Sequence, residues 1–140
     1  MFPKRDARID AIADLELFAG LDRKQLATIA SLSTEVKLPA GTVLCRRGER
    51  GREAFVLVEG TVAVSVEDQA LAVLRPGAVF GEMSLLDGKP RVANVTATSN
   101  VSVLVLNPLE LASLIEAVPA VRSRIFSTLG ARKKDLAPAA

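Results

Sequence analysis

The chain has no histidine, no tryptophan, no tyrosine and a single cysteine, Cys45. Without histidine there is no Ser–His–Asp triad, no histidine general base and no histidine metal site. A zinc or iron–sulfur centre would need carboxylates alone or a second chain. One thiol cannot close an internal disulfide, which fits a reducing compartment. No run approaches the roughly 20 apolar residues needed to cross a bilayer. The opening Met1-Phe2-Pro3-Lys4-Arg5-Asp6 has no apolar signal core. The charges nearly balance, 18 basic against 16 acidic for a net of +2 over 140 residues, and the clusters at the two ends are Lys4-Arg5 and Arg132-Lys133-Lys134. Solvated termini account for those clusters better than a nucleic-acid surface does, because no basic stripe joins them. These absences predict a cytoplasmic protein with neither membrane nor nucleic acid among its partners, and they count against an enzyme without excluding one.

What is present is an ordinary globular balance, 49% hydrophobic and 24% charged. The length suits one domain over 1–140. A helix is expected from about Arg8 to Phe18. A second opens at Asp22, with Gln25 at capping-box spacing and Leu21 and Leu26 placed as a hydrophobic staple. Leu26, Ile29 and Ala30 then recur at helical spacing.

From Val36 the pattern changes to short apolar runs cut by Pro39-Ala40-Gly41, Gly48, Gly51, Gly60, Glu67-Asp68-Gln69 and Pro76-Gly77. Val62, Val64 and Val66 alternate with small or polar residues, as do Val101, Val103 and Val105. Short alternating strands between Gly and Pro turns predict an antiparallel barrel or jelly roll over about 36–106. Helices return over about 107–134. Asn107 caps the first, with Pro108 at its first position and Glu110 completing a second capping box. Leu111, Leu114, Ile115 and Val118 form its apolar side. Pro119 ends it and starts a last helix, with Val121, Ile125, Phe126 and Leu129 on one face. The fold class is therefore α+β, an antiparallel jelly-roll β-roll flanked by N-terminal helices and two C-terminal helices.

One stretch inside the β region, Phe80 to Val95, does not read as strand. Gly81 permits a tight backbone, and the residues through Leu86 suit one helical turn whose free N–H groups favour an anion. Asp87-Gly88-Lys89-Pro90 then turns the chain into a strand starting near Arg91. A guanidinium there would face the same spot and suit a phosphodiester through two parallel hydrogen bonds. Glu82 would repel a phosphate but accept from a neighbouring sugar hydroxyl. From the residues alone, a surface ion pair between Glu82 and Arg91 accounts for the segment equally well.

The segment resembles the phosphate-binding cassette of cyclic-nucleotide-binding domains. It supplies Phe80-Gly81-Glu82, Met83, Ser84, Leu85-Leu86, a turn, Pro90-Arg91 and Ala93. Leu15-Glu16-Leu17-Phe18, Pro39-Ala40-Gly41-Thr42, Gly48-Glu49-Arg50-Gly51, Phe55 to Gly60 and Leu74-Arg75-Pro76-Gly77 extend the likeness over Leu15 to Leu129. The resemblance implies a β-roll of about eight strands and ligand contacts from Gly81, Glu82, Met83, Ser84, Leu85, Arg91, Val92 and Ala93. In these roles Glu82 takes the ribose 2′-hydroxyl and Arg91 the cyclic phosphate, while amides near Ser84, Leu85 and Ala93 also reach the phosphate. It further implies a regulatory sensor whose ligand repositions the last helix, which caps the base.

Ser84 stands where the family commonly has Ala, and Asn94 where Thr is frequent. Val92 stands where cGMP-selective members often have Thr. With no hydroxyl to bond guanine, the expected ligand is cAMP ahead of cGMP. Near Arg52, kinase-type members carry an Asp that orients the phosphate arginine, so Glu53 or Glu49 is expected to substitute. Leu129, Arg132 and Phe126 are the candidates for covering the base. Eleven residues follow Leu129, too few for a winged helix. The expectation is a stand-alone sensor acting through an effector protein, or a domain cut from a longer chain. The other reading is a fold retained as a protein interaction module without ligand.

Overall fold

In the computed structural model, which describes residues 9–125, the chain enters through a short helix, α1, at 9–13. Its expected start at Arg8 lies outside the described residues. The helix does not run on to Phe18. It breaks at Asp14, and Glu16–Phe18 forms a separate 3₁₀ turn. On one continuous helix Leu15 and Leu17 would point about 200° apart. Both are buried, as are Ile9, Ile12 and Phe18, and the break is what allows one core to take them all.

Helix α2 (Arg23–Leu32) has the expected capping box. The Asp22 carboxylate accepts from the Gln25 amide at 2.8 Å, and the Gln25 side chain accepts from the Asp22 amide at 2.9 Å. Leu26, Ile29 and Ala30 form its buried face.

Eight strands follow: β1 (Thr34–Leu38), β2 (Val43–Cys45), β3 (Ala54–Glu59), β4 (Val62–Val66), β5 (Gln69–Leu74), β6 (Val79–Phe80), β7 (Asn94–Ala97) and β8 (Val101–Leu106). They make two four-stranded antiparallel sheets, ordered β1-β8-β3-β6 and β2-β7-β4-β5. The β4–β5 connection is a two-residue turn, Glu67-Asp68, with φ of 49° and 65°. Positive φ at both positions gives the twist a tight hairpin needs.

The period-2 alternation of strand side chains divides β3 and β8 between two cores. Ala54, Val56 and Val58, with Leu104 and Leu106, face the helices and join Ile12, Phe18, Leu26 and Ile29. Phe55 and Leu57, with Val101 and Val103, face the second sheet and join Val62, Val64, Val95 and Phe80. One sheet thus separates a helical core from the interior of the roll, and its two central strands are buried on both faces.

Helix α4 (Pro108–Ala117) follows β8 directly and carries the second capping box, between Asn107 and Glu110. Its Leu111 and Leu114 pack into the helical core with Val118. Helix α5 starts at Pro119 and is described over 119–125, with Val121 and Ile125 buried. Phe126, Leu129 and the basic triplet Arg132–Lys134 lie outside the described residues. Among the described residues, no helix is long and apolar enough to cross a membrane.

Candidate functional site

Strand β6 delivers the chain to the site. Phe80 pairs with Phe55 in register, and the two rings stack with centroids 5.0 Å apart. The next residue, Gly81, has φ +81° and forms the N-cap of the short helix α3 (Glu82–Asp87). A left-handed backbone at that point favours glycine. Space requires it as well, because a Cβ would lie 2.7 Å from Arg91 Nη1 and 3.0 Å from the Glu53 carbonyl. Gly88, also left-handed, ends the helix with its amide bonded to the Ser84 carbonyl at 3.0 Å.

Arg91 does not start a strand; β7 begins three residues later, at Asn94. Pro90 has no N–H to give a ladder, and the backbone of Arg91 is engaged elsewhere. Its amide donates to the Glu49 carbonyl at 2.9 Å, and its carbonyl accepts from the Gly48 amide at 2.8 Å. The loop between β2 and β3 therefore occupies the pairing positions a strand neighbour would use.

The guanidinium is held by backbone carbonyls. Nη1 donates to Gly81 O and Nη2 to Glu53 O, both at 2.9 Å. The expectation that a carboxylate of Glu53 or Glu49 would replace the family's Asp is corrected by this geometry. Both residues serve Arg91, but through their main-chain oxygens, while the Glu49 carboxylate lies 3.7 Å from Arg46 Nε. Carbonyls orient a guanidinium without cancelling its charge. A guanidinium has five N–H donors, so the two bonds leave donors over for an anion.

Glu82 is fully buried, with 0% exposure, so a surface ion pair with Arg91 is not what the segment forms. Enclosing a carboxylate is costly, and this one stands in the first turn of α3, on the favourable side of the helix dipole.

A cavity of about 340 Å³ opens beside this segment, of a size that suits a small ligand. Of the eight residues expected at the site, Gly81, Met83, Ser84, Arg91, Val92 and Ala93 line it. Glu82 and Leu85 do not. Leu85 packs instead against the helical core, which turns its side chain away from the cavity. Phe80 of β6 and Val95 of β7, the ends of the segment the sequence singles out, also line it, whereas Leu71, Ala72 and Leu74 of β5, Val64 of β4 and Cys45 of β2 were missed by the sequence reading. The available signal was β5 itself, whose run Ala70 to Leu74 has no polar face although the strand is mostly exposed. The site is thus an apolar slot with one cation at its edge. Among the described residues, no group of three or more Asp, Glu, His or Cys is placed to hold a metal ion.

The chain is 36% identical, over 92% of its length, to a cyclic nucleotide-gated potassium channel of Mesorhizobium japonicum, of which it covers 36%. It spans about a third or less of the curated relatives it matches. Among solved structures, it superimposes on cAMP-bound PfPKA-R with a TM-score of 0.84 at 22% identity, over 96% of this chain and 46% of that one. A second match is the regulatory domain of Toxoplasma gondii PKA solved with cAMP, with a TM-score of 0.67 at 28% identity, over 81% of this chain and 45% of that one. The sequence model of the cyclic nucleotide-binding domain matches residues 35–118, from β1 to the end of α4, and the chain belongs to that family.

Proposed function

We propose that the cavity beside α3 binds a cyclic nucleotide, cAMP ahead of cGMP, and that the protein is a regulatory sensor rather than an enzyme. The observation that carries this reading is the carbonyl-held guanidinium of Arg91 at the edge of an apolar slot. A singly charged cyclic phosphate matches one unneutralised cation with donors to spare. Amides of Ser84, Leu85 and Ala93 add donors at the phosphate. Glu82, buried behind the cavity wall at the start of α3, takes the ribose 2′-hydroxyl once the ligand draws α3 toward Arg91, and the apolar walls take the base. The preference for cAMP rests on Val92, a cavity residue with no hydroxyl for guanine, and on the cAMP held by the Toxoplasma gondii homologue.

The signal leaves the site through Leu85. Its helix lines the cavity on one side, while Leu85 itself touches the core that holds Leu111 and Leu114 of α4 and Ile125 of α5. A ligand that draws α3 toward Arg91 changes how α4 and α5 pack, and an effector protein reads that change. The test is titration of the protein with cAMP, cGMP and AMP. Saturable binding of the cyclic nucleotides and none of AMP supports the reading. No binding of either cyclic nucleotide replaces it with a protein interaction module.

A further inference from the structure

We infer that Gly51, in the loop between β2 and β3, is a positioning residue for the Arg91 guanidinium. This rests on the proposal that Arg91 meets the ligand phosphate. In the sequence Gly51 reads as one more turn glycine. Its backbone does not need one, for φ at Gly51 is outside the left-handed region that Gly41, Gly48, Gly60 and Gly81 occupy. What it needs is space. A Cβ on Gly51 would lie 2.8 Å from Arg91 Cζ, 3.0 Å from Arg91 Nη1 and 2.7 Å from Ser84 Cβ. Real Cβ atoms do not come that close, so the contacts with Ser84 and with the guanidinium must both be relieved.

The surrounding bonds decide which of the two gives more. Ser84 is buried, and its Cβ is fixed to the backbone of α3. The main chain of Arg91 is tied to the same loop at Gly48 and Glu49, and the Arg47 amide donates to Asn94 Oδ1 at 2.9 Å. The part free to turn is the guanidinium, which would leave the carbonyls of Gly81 and Glu53. Residues 47–53 therefore act as a clamp. They grip the main chain of Arg91 on one side, supply the Glu53 carbonyl on another, and leave a gap at Gly51 that the guanidinium fills. No carboxylate takes part in the clamp, which leaves the charge of the arginine for the ligand.

The experiment compares the wild-type protein with Gly51→Ala in three ways. Arginine side-chain NMR signals are recorded without ligand, with those of Arg91 identified by their loss in Arg91→Lys. Thermal unfolding and cAMP affinity follow. The expected result is that Arg91 shows restrained, slowly exchanging guanidinium signals in the wild type and loses them in Gly51→Ala. Affinity falls about tenfold or more, as for a lost charge-assisted partner, in a protein that remains folded. Restrained signals retained in Gly51→Ala would overturn the inference, and so would lost signals with unchanged affinity. If Gly51→Ala alone does not fold, the double variant Gly51→Ala/Ser84→Gly removes the serine contact, keeps the arginine one and gives the same comparison against Ser84→Gly. Because the NMR signals are read without ligand, a wild-type protein that binds no cyclic nucleotide would defeat the proposed function while the clamp is still judged on its own.

Discussion

Arg91 Nη1 donates to the carbonyl oxygen of Gly81 at 2.9 Å, joining the cation of the site to the residue that caps α3. The link spans a turn and a helix in sequence, yet it makes the helix and the arginine a single unit. Whatever pulls on the guanidinium pulls on the N-terminal end of α3. The unit faces the cavity with Met83 and Ser84 and the helical core with Leu85.

Replacing Arg91 by Ala removes the cation while leaving both cores intact. Binding of cAMP should weaken by about 2 kcal/mol or more, the scale of a lost charge-assisted hydrogen bond. The circular dichroism spectrum should not change. Calorimetric titration of the variant measures the effect, and unchanged affinity would remove Arg91 from the site.

For Glu82 the prediction concerns discrimination rather than affinity alone. Glu82→Ala should lose most of its preference for cAMP over 2′-deoxy-cAMP, because the acceptor for the 2′-hydroxyl is gone. Competition between the two ligands measures this. If both ligands lose affinity equally, the carboxylate does not meet the ribose.

Val92 is about half exposed and lines the cavity. Val92→Thr adds a hydroxyl there with almost no change of volume. The ratio of cGMP to cAMP affinity should rise about fivefold, which is roughly 1 kcal/mol, the net worth of one hydrogen bond. A parallel titration with both nucleotides checks it, and an unchanged ratio would remove Val92 from base selection.

Two substitutions away from the cavity separate folding from binding. Asn107→Ala removes the acceptor for the Glu110 amide and should cost about 1 kcal/mol of stability. Gly60 has φ +86°, and a Cβ there would collide with the Asn100 carbonyl. Gly60→Ala should therefore cost at least about 2 kcal/mol through strain and crowding. Denaturant unfolding measures both, and cAMP affinity of the folded variants should match the wild type.

The parts of this fold that rest on neighbours in sequence were legible in the sequence. Asp22 with Gln25 and Asn107 with Glu110 announced two helix starts, because a capping box is complete within four residues. The alternation of Val62, Val64 and Val66 marked a strand with one inward face. The same logic undersold β8. Leu104 and Leu106 are buried as fully as Val101 and Val103, since helices cover the face that alternation would leave to solvent. The break after α1 was hidden too, because Leu15 and Leu17 read as ordinary helix formers until a core is present to claim both.

At the site, Gly81, Glu82 and Arg91 were legible as a pattern of residue types, while their geometry was not. Arg91 reaches the Glu53 carbonyl 38 residues away, and no local rule forecasts a main-chain partner at that separation. The sequence named Glu53 and Glu49 for their carboxylates, whereas the fold uses their carbonyls. The role of Gly51 was invisible for a related reason, since a glycine needed for space looks like one needed for a turn.

The most direct test of the account is calorimetric titration of the wild-type protein with cAMP, then cGMP, with AMP as the open-phosphate control. The account predicts saturable binding of cAMP, weaker binding of cGMP and no binding of AMP, with cAMP raising the unfolding temperature as any native-state ligand must. No heat and no thermal shift with either cyclic nucleotide would contradict it.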